Sequence, residues 1–273
     1  MHKFVSFNQQ IISAKDAFLS AISSTALYGK GIFTTLAIYR SKPFLWEKHW
    51  ERLTENAKKL GIDFTGFSEK NVKNSLLEII SKNKIINARA RITFFDESAN
   101  NIWAFETNKK TSFLITTADF RPAVKNLRLT VSPFRINSTS LLANVKSCNY
   151  LENILALEGA KAKDYDEAVR LNERGEIVSA CLANIFWVKN NKIFTPSLET
   201  GCLKGTTRDF ILENFMVEER KAGLAELNKV EDVFLTSAGF GIRKVANLER
   251  ANFTNSSKVF LSIQQLFEEV IAV

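Results

Sequence analysis

Two periods alternate along the chain. Between Trp46 and Leu60 the residues Trp46, Trp50, Leu53, Ala57 and Leu60 fall on one side of a 3.6-residue helix, and the pattern predicts a helix there. A second helix is expected within 69–82, others at 206–215 and from about 257, and one starts at Tyr150. Strand-like runs lie at 31–39, 88–95, 112–118, 127–132, 184–188, 192–195, 231–236 and 241–246. SKP at 41–43 supplies a turn, and LNERGEIV reads as a hairpin turning at 172–175. ADFRPAVKN, 118–126, has a proline and no period, which marks a linker. The expectation is an α+β chain with an N-terminal α/β domain over 1–118, a linker over 119–126 and a C-terminal domain over 127–273.

Composition narrows the function classes. With 45% apolar and 24% charged residues in 273, the chain has the make-up of a globular protein with a sizeable core. It contains no run of about 18 apolar residues, so a membrane span is not expected. The start, MHKFVSFNQQII, lacks the apolar stretch and cleavage site of a secretory leader. Cys148, Cys181 and Cys202 are odd in number and form no CxxC pair, which points to reduced thiols in a cytoplasm and to no metal site. The only histidines are His2 and His49, too few for a histidine zinc site or a Ser-His-Asp relay. The net charge of +8 is dispersed, with only short pairs such as Lys58-Lys59 and Lys109-Lys110. No nucleic-acid motif accompanies it, so a small anionic ligand is the expected beneficiary of the field and nucleic acid is not expected.

Four patches carry candidate chemistry. In NVKSCNYLENILALEGAK, Asn149 is placed to cap the helix opening at Tyr150, with Glu152 in the capping-box position. Leu151, Ile154 and Leu155 form its expected buried face, and Glu158 reaches solvent. Lys146 precedes that helix, where desolvation would lower its pKa and suit Schiff-base chemistry; an exposed loop lysine is the plainer alternative. In GCLKGTTRDFILENF, the Gly205-Thr206-Thr207-Arg208 start offers free N–H groups, hydroxyls and a helix dipole to an anion, or is an ordinary cap. In HWERL, His49 and Arg52 share a helix surface beside the apolar stripe. Arg52 either presents its fork to a phosphate or pairs with Glu55. RGEIVSACLANIFWV alone reads as a tightly packed core strand after a turn.

In chain order, YGKGIFTTLAIY, HWERL, VKSCNYLENILALEGAKAKDYDEAV, VSACLANIFWV and LKGTTRDF together resemble the class IV aminotransferase family, the fold-type IV pyridoxal-phosphate enzymes. The resemblance runs from about Tyr28 to Val245. It implies a small N-terminal α/β domain, a larger C-terminal pseudo-barrel domain carrying the cofactor lysine, a site between them, and a homodimer. It implies pyridoxal 5'-phosphate held by Lys146, with Arg52 and the Thr206–Thr207 helix start on its phosphate and Tyr150 near its ring. Tyr28, Thr34 and Thr35 are implied on the substrate side.

One position departs from the family. Five residues before Asn184, where the resemblance implies a glutamate paired with the cofactor's ring nitrogen, stands Ser179. Glu176 has the wrong strand parity to replace it, and Glu173 lies roughly 20 Å away at strand rise. A hydroxyl favours a protonated ring far less than a carboxylate does, which weakens the electron sink. Transamination should suffer more than an elimination that gains aromaticity. Phe33-Thr34-Thr35 and FLTSAGFGIRKV also resemble the family's lyases, although Lys244 replaces a proline. The expectation is therefore a lyase acting on a small anionic amine. The rivals are an aminotransferase for branched-chain or D-amino acids and a cofactor- or anion-binding protein without turnover.

Overall fold

The computed structural model describes residues 1–98, 109–120, 126–253 and 255–272. By its contacts the chain divides into two units, Met1–Arg121 with Val145–Asn149, and Pro122–Asn144 with Tyr150–Val273.

The first unit contains β1 (Phe4–Phe7), β2 (Gln10–Ser13), α1 (Ser24–Tyr28), β3 (Gly31–Tyr39), β4 (Lys42–Pro43), α2 (Trp46–Leu60), α3 (Glu69–Lys82), β5 (Ala88–Asp96) and β6 (Thr111–Ala118). Its antiparallel sheet has the order β2-β1-β6-β5-β3-β4. The two long helices form where the period predicts them. α2 ends at Gly61, whose φ of 64° gives the left-handed cap that an L side chain disfavours. Ser68 caps α3 by accepting from the Asn71 N–H. Leu53, Ala57, Leu76 and Ile79 of these helices pack with Ile32, Leu36, Ile38 and Ile92 of the sheet. The short β1, β2 and α1 escaped the sequence reading because four or five residues do not complete a recognisable period.

The second unit holds β7 (Asn126–Val131), α4 (Leu151–Lys161), β8 (Glu167–Leu171), β9 (Ile177–Ala180), β10 (Asn184–Lys189), β11 (Lys192–Pro196), α5 (Thr206–Asn214), β12 (Val217–Arg220), β13 (Asp232–Ser237), β14 (Gly241–Leu248), β15 (Ala251–Asn252) and α6 (Lys258–Ala272). The strand order is β12-β11-β10-β13-β14-β7-β8-β9, with β15 on β14. β9, at one end of this order, runs directly into β10 through a tight turn in which the Ala180 N–H donates to Ala183 O at 2.8 Å, so the sheet curls. The result is the expected pseudo-barrel, with Leu129, Val169, Ile177, Ile185, Val233 and Val245 inside.

Three expectations change. The expectation puts Lys146 in the C-terminal domain, whereas 145–149 belong by contact to the first unit. The Phe33 N–H donates to Lys146 O at 2.9 Å, Ser147 bridges Ile32, and the Cys148 N–H donates to Gly31 O at 2.8 Å. The segment thereby extends the edge of β3. Gly31 permits this, because a Cβ there would lie 2.9 Å from Cys148 Sγ. Secondly, α4 is capped at Tyr150 with no side-chain cap bond, and Asn149 instead donates from Nδ2 to Gly29 O at 3.0 Å. Thirdly, Leu151, Ile154 and Leu155 are 68%, 38% and 45% exposed, while Ala156, Leu157 and Ala160 are buried with Ala168 and Cys181. The helix is apolar on more than one side, so its period could not say which side packs. Of the expected linker, 121–125 lie outside the described residues.

Candidate active site

In the first unit the site grows from one anomaly in β3. Ile32, Thr34, Leu36 and Ile38 share the row facing the helices, and all are fully buried, yet Thr34 carries a hydroxyl. α2 uses it. Arg52, buried on that helix, donates from Nη2 to Thr34 Oγ1 at 2.5 Å. Thr34 Oγ1 lies 2.7 Å from His49 Nδ1, and Arg52 Nη2 lies 3.4 Å from the same nitrogen. Burial, then the charges of Arg52 and Lys146, hold the imidazole well below its usual pKa, so His49 is neutral. Since an arginine can only donate, Nδ1 is the acceptor and receives the Thr34 hydroxyl hydrogen. The His49–Thr34 pair therefore fixes one branch of the Arg52 fork. The Arg52–Glu55 alternative is displaced by this buried arrangement.

Lys146 stands close by. Its Nζ lies 4.5 Å from the centre of the Phe33 ring. Desolvation first, then repulsion from Arg52 and Arg91, pushes its pKa well below the lysine range. The shift favours the neutral amine, whose lone pair can act as nucleophile or base. Arg91 was not foreseen: its guanidinium lies 3.6 Å from the centre of the Phe33 ring, and its backbone is opposite Thr35 on β3. The only sequence signal for it was a charge inside the strand run ARARITFF. Thr34 and Thr35 point to opposite faces of β3, so the two do not form one substrate wall. Tyr28, at the end of α1, is 42% exposed.

In the second unit the helix start GTTR is built as expected. Gly205 is the N-cap of α5, and Thr206 and Thr207 of its first turn are each 3% exposed. A Cβ at Gly205 would fall 1.9 Å from Asn184 Oδ1, whose amide is held by Leu203 O at 2.8 Å. The glycine thus lets the Asn184 side chain pack against the N-cap of α5, and the N–H groups of such a helix start are of the kind that accepts an anionic oxygen. Arg208 is committed elsewhere, donating to Pro196 O at 3.2 Å and pairing with Glu219. Ser179 lies half-buried on β9, and Tyr150 is half-buried before α4. Glu176 is taken by Asn172 and Arg174 at 2.7 and 2.9 Å, and Glu173 by Ser138 and Arg174, so neither substitutes for an acid at 179.

Taken unit by unit, these residues fit the implied cofactor: the first unit holds a desolvated amine suited to an aldehyde and a buried arginine suited to a phosphate, and the second holds a helix N-terminus suited to a phosphate. No group of His, Cys, Asp and Glu among the described residues is arranged to hold a metal.

Comparison with known proteins agrees with the geometry. The family model for amino-transferase class IV matches residues 31–248. The chain is 30% identical over 274 residues to the aminodeoxychorismate lyase of Bacillus subtilis, covering 97% of this chain and 93% of that protein. It is 28% identical to a putative branched-chain-amino-acid aminotransferase of Methanocaldococcus jannaschii, covering 96% and 94%. Among solved structures, the branched-chain aminotransferase of Thermoproteus uzoniensis superposes with a TM-score of 0.92 at 22% identity, covering 99% of this chain and 95% of that one. A putative 4-amino-4-deoxychorismate lyase of Legionella pneumophila superposes with 0.86 at 25% identity, covering 94% and 96%. On the match over 31–248 and the near full-length 30% relative, the chain belongs to the class IV amino-transferase family.

Proposed function

We propose that the protein is a pyridoxal-phosphate-dependent lyase of the 4-amino-4-deoxychorismate type, releasing pyruvate and forming 4-aminobenzoate for folate synthesis. The observation that carries it is the full-length likeness to the Bacillus subtilis lyase. The resemblance of Phe33-Thr34-Thr35 to the lyase version of that motif supports it, and the neutral Thr34 stands between His49 and Arg52. Pyridoxal phosphate, as borne by the related aminotransferase of Thermobaculum terrenum, supplies an electron sink for the carbon bearing the substrate amine.

The protein's own groups divide the work. Lys146 would hold the cofactor, and its Nζ would be the base that takes the proton from the amine-bearing carbon of the substrate. The electron pair left on carbon forms the ring double bond as the neighbouring C–O bond breaks. The departing enolpyruvate takes up a proton and becomes pyruvate. Arg52, fixed by Thr34 and His49, would serve the cofactor's phosphate, the Thr206–Thr207 helix start of the second unit would do the same, and Tyr150 and Ser179 would serve the ring. Arg91 adds positive charge suited to a dicarboxylate substrate. Two features support a homodimeric assembly: the exposed Leu151, Ile154 and Leu155 of α4, and the exposed Phe18, Ile22 and Leu27 of the first unit.

Purified holoenzyme incubated with 4-amino-4-deoxychorismate should yield 4-aminobenzoate, and none above background overturns the reading. Borohydride reduction should fix the cofactor on Lys146. Relatives named as branched-chain and D-alanine aminotransferases favour a second reading, transamination. That reading predicts that an amino acid alone converts the cofactor to its amine form with release of a 2-oxo acid.

A further inference from the structure

β8 and β9 run antiparallel, and the register sets Arg170 directly opposite Ser179. Opposed residues of an antiparallel pair project to the same face with Cβ atoms about 5 Å apart. Arg170 is fully buried and locked in place. It donates from Nη1 to Asn153 Oδ1 at 2.9 Å, from Nη2 to Glu152 Oε2 at 3.2 Å and from Nε to Phe134 O at 3.3 Å. Glu152 is its acidic partner, but that side chain is 74% exposed, so water screens the carboxylate far more than the cation. The other acids near the hairpin are engaged away from Ser179. Glu176 bonds Asn172 and Arg174, and Glu167 accepts from the backbone of Cys181 and Leu182. Glu167 is three strand positions from Arg170 and faces the other side, while the register shift between Arg170 and Leu171 brings Glu176 opposite Asn172, where Asn172 and Arg174 hold its carboxylate.

We propose that Arg170 and Ser179 act as one unit, a hydroxyl backed by a fixed buried cation, which keeps the ring nitrogen of the bound cofactor unprotonated. The departure from the family at 179 is then a paired change in local charge, more than the loss of one acid. It rests on the cofactor reading above. Its consequence is that Ser179→Glu alone does not create a free carboxylate, because the new acid is drawn to the guanidinium opposite. A protonated ring requires Arg170 to be removed as well. Arg170 is in this sense a positioning residue, acting through charge on what position 179 presents.

The test uses holoenzyme reconstituted with cofactor labelled with nitrogen-15 in the ring, followed by nuclear magnetic resonance against pH. The wild type should show an unprotonated nitrogen at neutral pH. Arg170→Leu should raise the nitrogen's pKa by about one to two units, the size expected for a unit charge several ångströms away at an effective dielectric near 20. Ser179→Glu should move it less than the double variant, which should be protonated throughout. A protonated nitrogen in the wild type, or an Arg170→Leu titration identical to wild type, overturns the proposal. Should Arg170→Leu fail to fold, Arg170→Gln keeps donors toward Asn153 and is read in the same way. A second readout needs no cofactor. In thermal melts of the apo-protein, Ser179→Glu should be tolerated with Arg170 present and lower Tm when combined with Arg170→Leu. Absence of that coupling also counts against the pair. A protein that binds no cofactor at all sinks the functional reading while the apo melts still decide the Arg170–Ser179 interaction.

Discussion

At the scale of single residues, Thr34 shows how a buried polar group discloses its purpose. A hydroxyl in an otherwise apolar row costs free energy unless bonded, and here it is bonded by the two polar residues that α2 buries beside it. Thr34→Val keeps the shape and removes the oxygen that accepts from Arg52 Nη2. Because the lost bond is to a buried charged group, cofactor affinity should fall roughly ten- to a hundredfold, and Tm should drop by a few degrees. Titrating apo-protein with pyridoxal phosphate measures it, and unaltered affinity would show that Arg52 is held by other means.

Among the elements, the turn from β9 to β10 depends on a carboxylate that is costly to ionise. Glu167 is buried, and burial pushes its pKa up to about 7, although the N–H groups of Cys181 and Leu182 donate to it at 2.9 and 3.1 Å. The folded value lies above the unfolded one, so between the two the native state binds the extra proton. This group therefore favours folding below about pH 4.5, progressively loses that contribution as pH rises, and has lost it fully above about 7. Glu167→Gln removes the titration. Between pH 5 and 8 the wild type should lose more stability than the variant, by up to ~3 kcal/mol. Parallel melting curves across that range would expose the error if the two slopes coincide. Elsewhere Lys244 joins strands to the C-terminal helix. It pairs with Asp232 at 2.8 Å and donates to Ser256 Oγ at 2.8 Å, while Asp232 accepts from the Ser257 N–H at the start of α6.

For the molecule as a whole, the exposed side of α4 bears on assembly. Leu151 and Leu155 sit one turn apart on that side, and contiguous apolar surface of this kind is normally covered in an oligomer. The double variant Leu151→Glu, Leu155→Glu should shift the protein from dimer to monomer in sedimentation analysis with its melting transition preserved. A dimer that survives both charges would place the interface elsewhere.

The sequence by itself determined the long elements, because α2, α3 and the runs around β3, β5 and β13 carry full periods, and a period follows from local geometry. It also determined the family: ordered motifs singled out Lys146, Arg52 and the Thr206–Thr207 helix start, each tied to a chemical need that reads locally. Tertiary structure decided what depends on partners distant in the chain. It attached 145–149 to β3 through backbone bonds that no period encodes. It turned α4 so that Ala156 and Ala160 pack while Leu151 faces outward, a choice set by the shape of the neighbouring strand. Arg91 and Arg170 gained meaning the same way, since a charge within a strand is ambiguous until the sheet register supplies its neighbour. For Arg170 that neighbour is Ser179, and the charge beside it is a property of the register alone.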